Sequence, residues 1–179
     1  KTIGIVGMGR IGKAVARRAL GFGMKIVYYD RSRLSEEEEM ELGAKYLPLD
    51  ELLKVSDVVT VHLPLTQETR HLFKEEKFRL MKKNCIFINT SRGAVVKTED
   101  LVKALKEKWI LGAGLDVFEE EPLPEGHPLL ELDNVVLTSH IGSATWEARL
   151  AMAESVVGNL IDFYEGRVPR DLVNREVLK

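Results

Sequence analysis

Arg92, Glu121 and His140 each stand just beyond an apolar run that reads as a strand. Their settings are Asn89-Thr90-Ser91-Arg92-Gly93, Glu119-Glu120-Glu121-Pro122 and Ser139-His140-Ile141-Gly142-Ser143. A guanidinium fork suits a carboxylate with an adjacent carbonyl. An imidazole can give up and recover a proton near neutral pH, and a carboxylate beside it fixes the ring and stabilises its charged form. Upstream, Gly7-Met8-Gly9-Arg10-Ile11-Gly12 follows a strand and opens a helix. In that pattern the first glycine permits a tight turn, the second lets backbone approach a pyrophosphate, and the third allows close helix–strand packing. Free N–H groups and the dipole at the helix start would hold the phosphates. Together these features suit hydride exchange between a nicotinamide and a carbonyl compound. Taken singly, each has a bland reading as a surface arginine, a solvated acid, a structural histidine or an ordinary turn. Their occurrence at corresponding strand ends, where open α/β sheets bind ligands, favours chemistry.

Asp30 ends the second strand, about 20 residues past the glycine turn, where a carboxylate can accept from adenosine ribose hydroxyls. A 2′-phosphate at ~4 Å would be repelled by about 4 kcal/mol at an effective dielectric near 20. Asp30 therefore argues for NAD. Arg31 and Arg33 pull toward NADP, since a guanidinium can clamp a phosphate, although exposed loop residues are the plainer reading for both. Asp116, in Gly114-Leu115-Asp116-Val117, suits a bond to a nicotinamide carboxamide or a loop cap equally. His62 precedes Leu63-Pro64, a turn able to line a cofactor groove, and reads as structural. His71 and His127 read as surface and loop residues, and Glu119 and Glu120 as solvated neighbours.

Short apolar runs alternate with amphipathic segments and must place these groups. Strands are predicted at Thr2–Val6, Lys25–Tyr29, Lys45–Tyr46, Val58–Val61, Cys85–Asn89, Ile110–Leu115 and Val135–Thr138. Helices are predicted at Ile11–Phe22, at Ser35–Leu42 with Gly43 as its stop, after an Asp50 cap, near Lys74–Met81, from a Thr98 cap to Lys106, and over Ala144–Tyr164. Strands this apolar are buried on both faces, so the fold class is α/β, a doubly wound parallel sheet of the Rossmann type. The chain has 179 residues, enough for a full-sized core. Its net charge of -2, with both signs interspersed, gives no nucleic-acid groove or membrane-binding face. Nothing reads as a metal site. The single cysteine, Cys85, lies in an apolar strand and reads as an inert buried thiol in a reducing, cytoplasmic setting. Lys1 leads straight into a strand, so the chain reads as a piece of a longer protein.

GMGRIG, HLPLT, NTSRG, GLDVFEEEP and SHIGSAT occur in that order. On these motifs the chain resembles the cofactor-binding domain of the D-isomer-specific 2-hydroxyacid dehydrogenases, and DVFEEEPLP with HIGSAT is most similar to the glyoxylate/hydroxypyruvate reductases among them. The resemblance implies catalytic Arg92, Glu121 (the acid directly before Pro122) and His140. It implies cofactor contacts from Gly7, Gly9, Arg10, Ile11, Gly12, Asp30, Arg31, Leu63, Pro64, Thr90, Ser91, Arg92, Asp116, His140, Gly142 and Ser143. It implies a small 2-oxo acid substrate, a homodimer, and a fragment of a two-domain protein. In that reading residues 1–166 form the dinucleotide-binding domain, and 167–179 lead back to a substrate domain absent from this chain. Several similar members have a non-acidic residue at the Asp30 position and use NADP, so Asp30-Arg31 leaves NADP possible. Dinucleotide-sensing corepressors of the same family can keep the three residues, but nothing here signals their extended tails. S-adenosylhomocysteine hydrolase has a related NAD domain, and the Arg92, Glu121 and His140 set argues against it.

Overall fold

The computed structural model describes residues 1–178. Two compact units divide the chain, Lys1–His140 and Ile141–Lys179. The first holds a single sheet of seven parallel strands in the order β3-β2-β1-β4-β5-β6-β7. The strands are β1 (Thr2–Val6), β2 (Lys25–Tyr29), β3 (Ala44–Tyr46), β4 (Val58–Val61), β5 (Ile86–Asn89), β6 (Gly112–Leu115) and β7 (Val135–Leu137). Its helices are α1 (Arg10–Gly21), α2 (Glu36–Glu41), α3 (Leu49–Val55), α4 (Glu75–Leu80) and α5 (Thr98–Lys106).

Alternation along the strands builds two cores. Ile3, Ile5, Ile26 and Tyr28 pack with Ala16 and Ala19 of α1 and with Leu42. Val6, Val27, Val59, Val61 and Phe87 pack on the other face with Leu52 and Leu53 of α3, Phe78 of α4 and Leu101 and Leu105 of α5. Both faces are covered, as a parallel sheet requires. Phe73, Phe78 and Phe87 form an aromatic knot with centroids 5.1 to 6.4 Å apart. Cys85 is fully buried beside this core, and burial pushes its thiol up to about 12, so it is chemically quiet.

Strand order reverses between β1 and β4, which opens a crevice beyond their carboxyl ends. The predicted element types hold, with ends shifted by a few residues. Ser35 and Glu38 close a full capping box on α2. Two expected caps differ. α3 is preceded by Pro48, leaving Asp50 in its first turn, where it pairs with Lys77. α5 already includes Thr98, and the acceptor at its start comes from Glu119, far along the chain.

The second unit contains α6 (Trp146–Tyr164), capped by Thr145, whose hydroxyl accepts from the Ala148 N–H at 3.1 Å. Large apolar side chains are exposed along it, including Trp146, Leu150, Val157, Phe163 and Tyr164. Among the described residues, no helix is long and apolar enough to cross a membrane.

Candidate active site

The glycine turn joins β1 to α1 at the crevice. Gly7 has φ +97, and a Cβ there would lie 2.7 Å from the His62 carbonyl oxygen. A Cβ on Gly12 would lie 2.1 Å from the Gly7 carbonyl oxygen. Both positions therefore exclude a side chain, one by conformation and contact, the other by contact alone. A Cβ on Gly9 would meet nothing within 4 Å, which leaves the approach that a diphosphate needs. α1 starts at Arg10 with no side-chain cap and no acid in its first turn, so its N–H groups and dipole are offered to an anion.

Asp30 binds the turn it faces: one carboxylate oxygen accepts the Met8 N–H at 2.7 Å, and the other accepts the Ser32 N–H at 3.3 Å. Asp30 and Arg31 line a cavity of about 380 Å3 with Gly7, Gly9, His62 and Pro64, sized for an adenosine. Arg33 is elsewhere engaged, its fork on both carboxylate oxygens of Glu39 at 2.8 Å. A second cavity of about 620 Å3 is bounded by Arg10, Ile11, Leu63, Pro64, Ser91 and Arg92, and Thr90 also lines it. His62 borders both cavities. Burial pushes its imidazole down to about 4, so it stays neutral, and it bonds the Thr60 hydroxyl at 3.0 Å. These residues fit a dinucleotide: an acid at one end, an uncapped helix start in the middle, and an arginine turn at the other end.

The chemical end lies past β5, β6 and β7, three neighbours in the sheet. His140 Nδ1 and Glu121 Oε2 are 2.7 Å apart. The other Glu121 oxygen accepts the Phe118 N–H at 2.9 Å, so the carboxylate is held at both atoms. The bond from His140 holds the Glu121 carboxyl below its usual range, with help from the Phe118 N–H and the charge of Arg92 and against the opposing effect of burial. An ionised carboxylate only accepts, so the shared proton sits on Nδ1 and leaves Nε2 for exchange. His140 has φ 56, a left-handed backbone that costs a residue with a Cβ roughly 1 kcal/mol. The chain leading to it is anchored by Thr138, whose N–H donates to Leu115 O at 2.9 Å and whose hydroxyl donates to Asp116 at 2.5 Å. Asp116 is buried at the end of β6. Glu121 and His140 border an apolar cavity of about 590 Å3 lined by Phe118, Leu123 and Leu130. Arg92 is exposed on its turn, with Nη1 donating to the Ser91 carbonyl at 2.6 Å. Gly142 and Ser143 fall at the start of the second unit.

Two residues at the surface, as expected, also make contacts that the sequence did not signal. Glu119 is exposed, yet its carboxylate takes the Thr98 N–H at 2.7 Å and meets His71 Nε2 at 2.6 Å. His71 stands at φ 51 inside this bridge. No local pattern marks a partner 48 positions away. The only sequence signal is a histidine and an acid in segments that both border the functional strand ends.

Fold and groove define a dinucleotide-binding domain with an acid–base pair at its chemical end. The chain belongs to the family described as D-isomer specific 2-hydroxyacid dehydrogenase, NAD binding domain, whose model matches residues 1–142. It is 61% identical over 178 residues to the glyoxylate reductase of Thermococcus litoralis, covering 99% of this chain and 53% of that protein. It is 61% identical over 179 residues to the glyoxylate reductase of Pyrococcus furiosus, covering 100% of this chain and 53% of that protein. The crystal structure of D-lactate dehydrogenase with NAD+ from Lactobacillus jensenii superposes with a TM-score of 0.89 at 31% identity, over 97% of this chain and 55% of that one. The chain thus spans about half the length of the relatives it matches.

Proposed function

We propose that this chain is the cofactor-binding half of a two-domain reductase that moves hydride between a nicotinamide dinucleotide and a small 2-oxo acid. Glyoxylate is the favoured substrate, because relatives at about 60% identity are glyoxylate reductases, and hydroxypyruvate is favoured with it on the motif resemblance alone. The observation that carries the reading is the Glu121–His140 pair at 2.7 Å, oriented by the Phe118 N–H.

In this reading the reduced dinucleotide, when bound, supplies a hydride to the carbonyl carbon. His140 gives the proton from Nε2 to the carbonyl oxygen, so a 2-hydroxy acid results, and the reverse reaction returns the proton to the same nitrogen. Glu121 keeps the ring oriented through its bond to Nδ1. Arg92 binds the substrate carboxylate and polarises the ketone. Gly7, Gly9, Gly12, Arg10 and Ile11 cradle the diphosphate, and Asp30 accepts from the ribose. Leu63, Pro64, Thr90 and Ser91 line the nicotinamide side, and Asp116 adds a further cofactor contact. NAD is the main cofactor. NADP is a second one, because Arg31 lines the adenosine cavity beside Asp30 while Arg33 is held by Glu39. Residues 1–166 serve as the dinucleotide-binding domain, with 167–179 leading to the substrate domain. The apolar side chains exposed along α6 support a second copy of the chain as partner, and the single buried cysteine supports a cytoplasmic setting.

The test is steady-state turnover of the full-length protein with glyoxylate, hydroxypyruvate and 3-phosphoglycerate, each with NADH and NADPH. The fastest rates are expected for one of the first two acids with NADH. Failure to oxidise either dinucleotide with any 2-oxo acid would end the proposal. Residues 1–179 alone are expected to bind NADH and to turn over poorly or not at all.

A further inference from the structure

We infer that Glu119 and His71 are positioning residues that lock the loop carrying Glu121 onto the turn carrying Arg92; the inference rests on the reductase reading above. Three contacts close a ring that runs through the two segments. Gly93 packs directly on the Phe118–Glu119 peptide, so closely that a Cβ on it would lie 1.9 Å from the Phe118 carbonyl carbon and 2.5 Å from the Glu119 nitrogen. From that peptide the Glu119 side chain reaches His71 Nε2 at 2.6 Å. The His71 backbone N–H donates to the Ala94 carbonyl at 2.8 Å. Ala94 follows Gly93, so the path returns to the Arg92 turn. The other oxygen of Glu119 takes the Thr98 N–H at 2.7 Å, at the start of α5, whose cap residue Lys97 supplies no side-chain bond to the helix start.

The arrangement joins the separately built parts of the chemical end. Arg92 arrives from β5 and Glu121 from β6, and no strand hydrogen bond continues to either residue. Burial pushes the Glu119 carboxyl up, and the bonds from Thr98 and His71 outweigh it and leave the group below its usual range. It is therefore an anion at working pH, placed at the positive end of a helix dipole. His71 accepts a left-handed backbone at φ 51, where a β-carbon is strained, and its surroundings hold it there. Phe73 extends the same seam: its N–H donates to Val95 O at 3.1 Å and its carbonyl accepts from Lys97 at 2.9 Å.

The test uses the full-length protein and four variants: Glu119→Ala, Glu119→Gln, His71→Ala and His71→Gln. Gln at position 71 keeps a donor near the place of Nε2, and Gln at 119 keeps an acceptor for Thr98. Losing the lock lets the acid–base pair drift against the arginine, and a misplacement near 1 Å costs roughly 10- to 100-fold in turnover. The expected result is a fall of that size in kcat for both alanine variants, with KM for NADH changed less than about twofold, because the glycine turn and Asp30 lie outside the ring. His71→Gln is expected to recover most of the lost kcat, which a role in folding alone does not predict once melting temperatures are matched. If Glu119→Ala fails to fold, the two His71 variants make the same comparison. Alanine variants that turn over within about twofold of wild type overturn the inference, as does a kcat loss matched by an equal loss of NADH affinity. A wild-type protein inactive on every 2-oxo acid sinks the reductase reading and this inference with it, whereas an active wild type with unaffected variants sinks only the inference.

Discussion

The nucleotide end and the chemical end of this sheet are built by different means. The first is backbone: a positive φ at Gly7, a contact at Gly12 that admits no side chain, and the uncapped start of α1, all within one strand–turn–helix unit. A side chain that shapes it, Asp30, binds the turn directly through the Met8 N–H. The second is side chains: Arg92, Glu121 and His140 come from three loops and leave the sheet on three strands. Their surroundings remain open, with Glu121 35% and His140 51% exposed at the side chain. A cradle of backbone is rigid as soon as the sheet forms, while a constellation of exposed side chains depends on bonds that cross between loops. Loss of one such bond should therefore damage catalysis more than cofactor binding.

The sharpest way to break this contrast is His140→Gln. The proposed proton donor is lost while the glycine turn is untouched. We expect kcat to fall by about 100- to 10,000-fold, the usual range for removing a positioned acid. NADH affinity of residues 1–179, measured by fluorescence titration, should change less than about threefold. Equal losses in both measurements would show that the two ends are not separable.

Asp30→Asn tests the other side, with a smaller effect. The amide oxygen can still accept the Met8 N–H, so the turn keeps its anchor, but the anion facing the proposed adenosine site is gone. NADH affinity should weaken and discrimination against NADPH should shrink by roughly tenfold or more, which corresponds to about 1.4 kcal/mol and allows for solvent screening of the charge. An unchanged ratio of NADH to NADPH affinity would remove Asp30 from the specificity argument.

The same contrast explains what could be read from the residues alone. Alternating apolar strands and interleaved helices gave the parallel sheet, since burial on both faces leaves a composition with few alternatives. Gly7 to Gly12 and Asp30 were legible because their geometry is local. Arg92, Glu121 and His140 were legible as residue types at strand ends, while their mutual contact required the sheet order that makes β5, β6 and β7 neighbours. The Glu119–His71 bridge was not legible. Glu119, Glu120 and Glu121 are chemically equivalent in sequence, and only the fold turns the first toward Thr98 and His71 and the last toward His140. The cap of α5 differs from the expected Thr98 for the same reason, because the acceptor arrives from another loop.

The smallest expected effect concerns acid. The bond from His140 is the main cause of the low Glu121 carboxyl, ahead of the Phe118 N–H. A carboxyl depressed in the folded state contributes stability that is fully present above its unfolded value, near about 4.3, and is lost as pH falls through the folded value. The melting-temperature gap between wild type and Glu121→Gln should therefore narrow as pH falls from about 5.5 and close as pH drops below about 4. The gap should be small, because both side chains are well exposed and water screens the pair. Below the folded value of Glu121 its protonated form no longer serves as an anionic acceptor for the Nδ1 proton, so kcat/KM should fall in the same acid window. The backbone N–H groups of the glycine turn do not titrate there. A melting-temperature gap that widens toward acid would reverse the sign and show that Glu121 is not ionised in the folded pair.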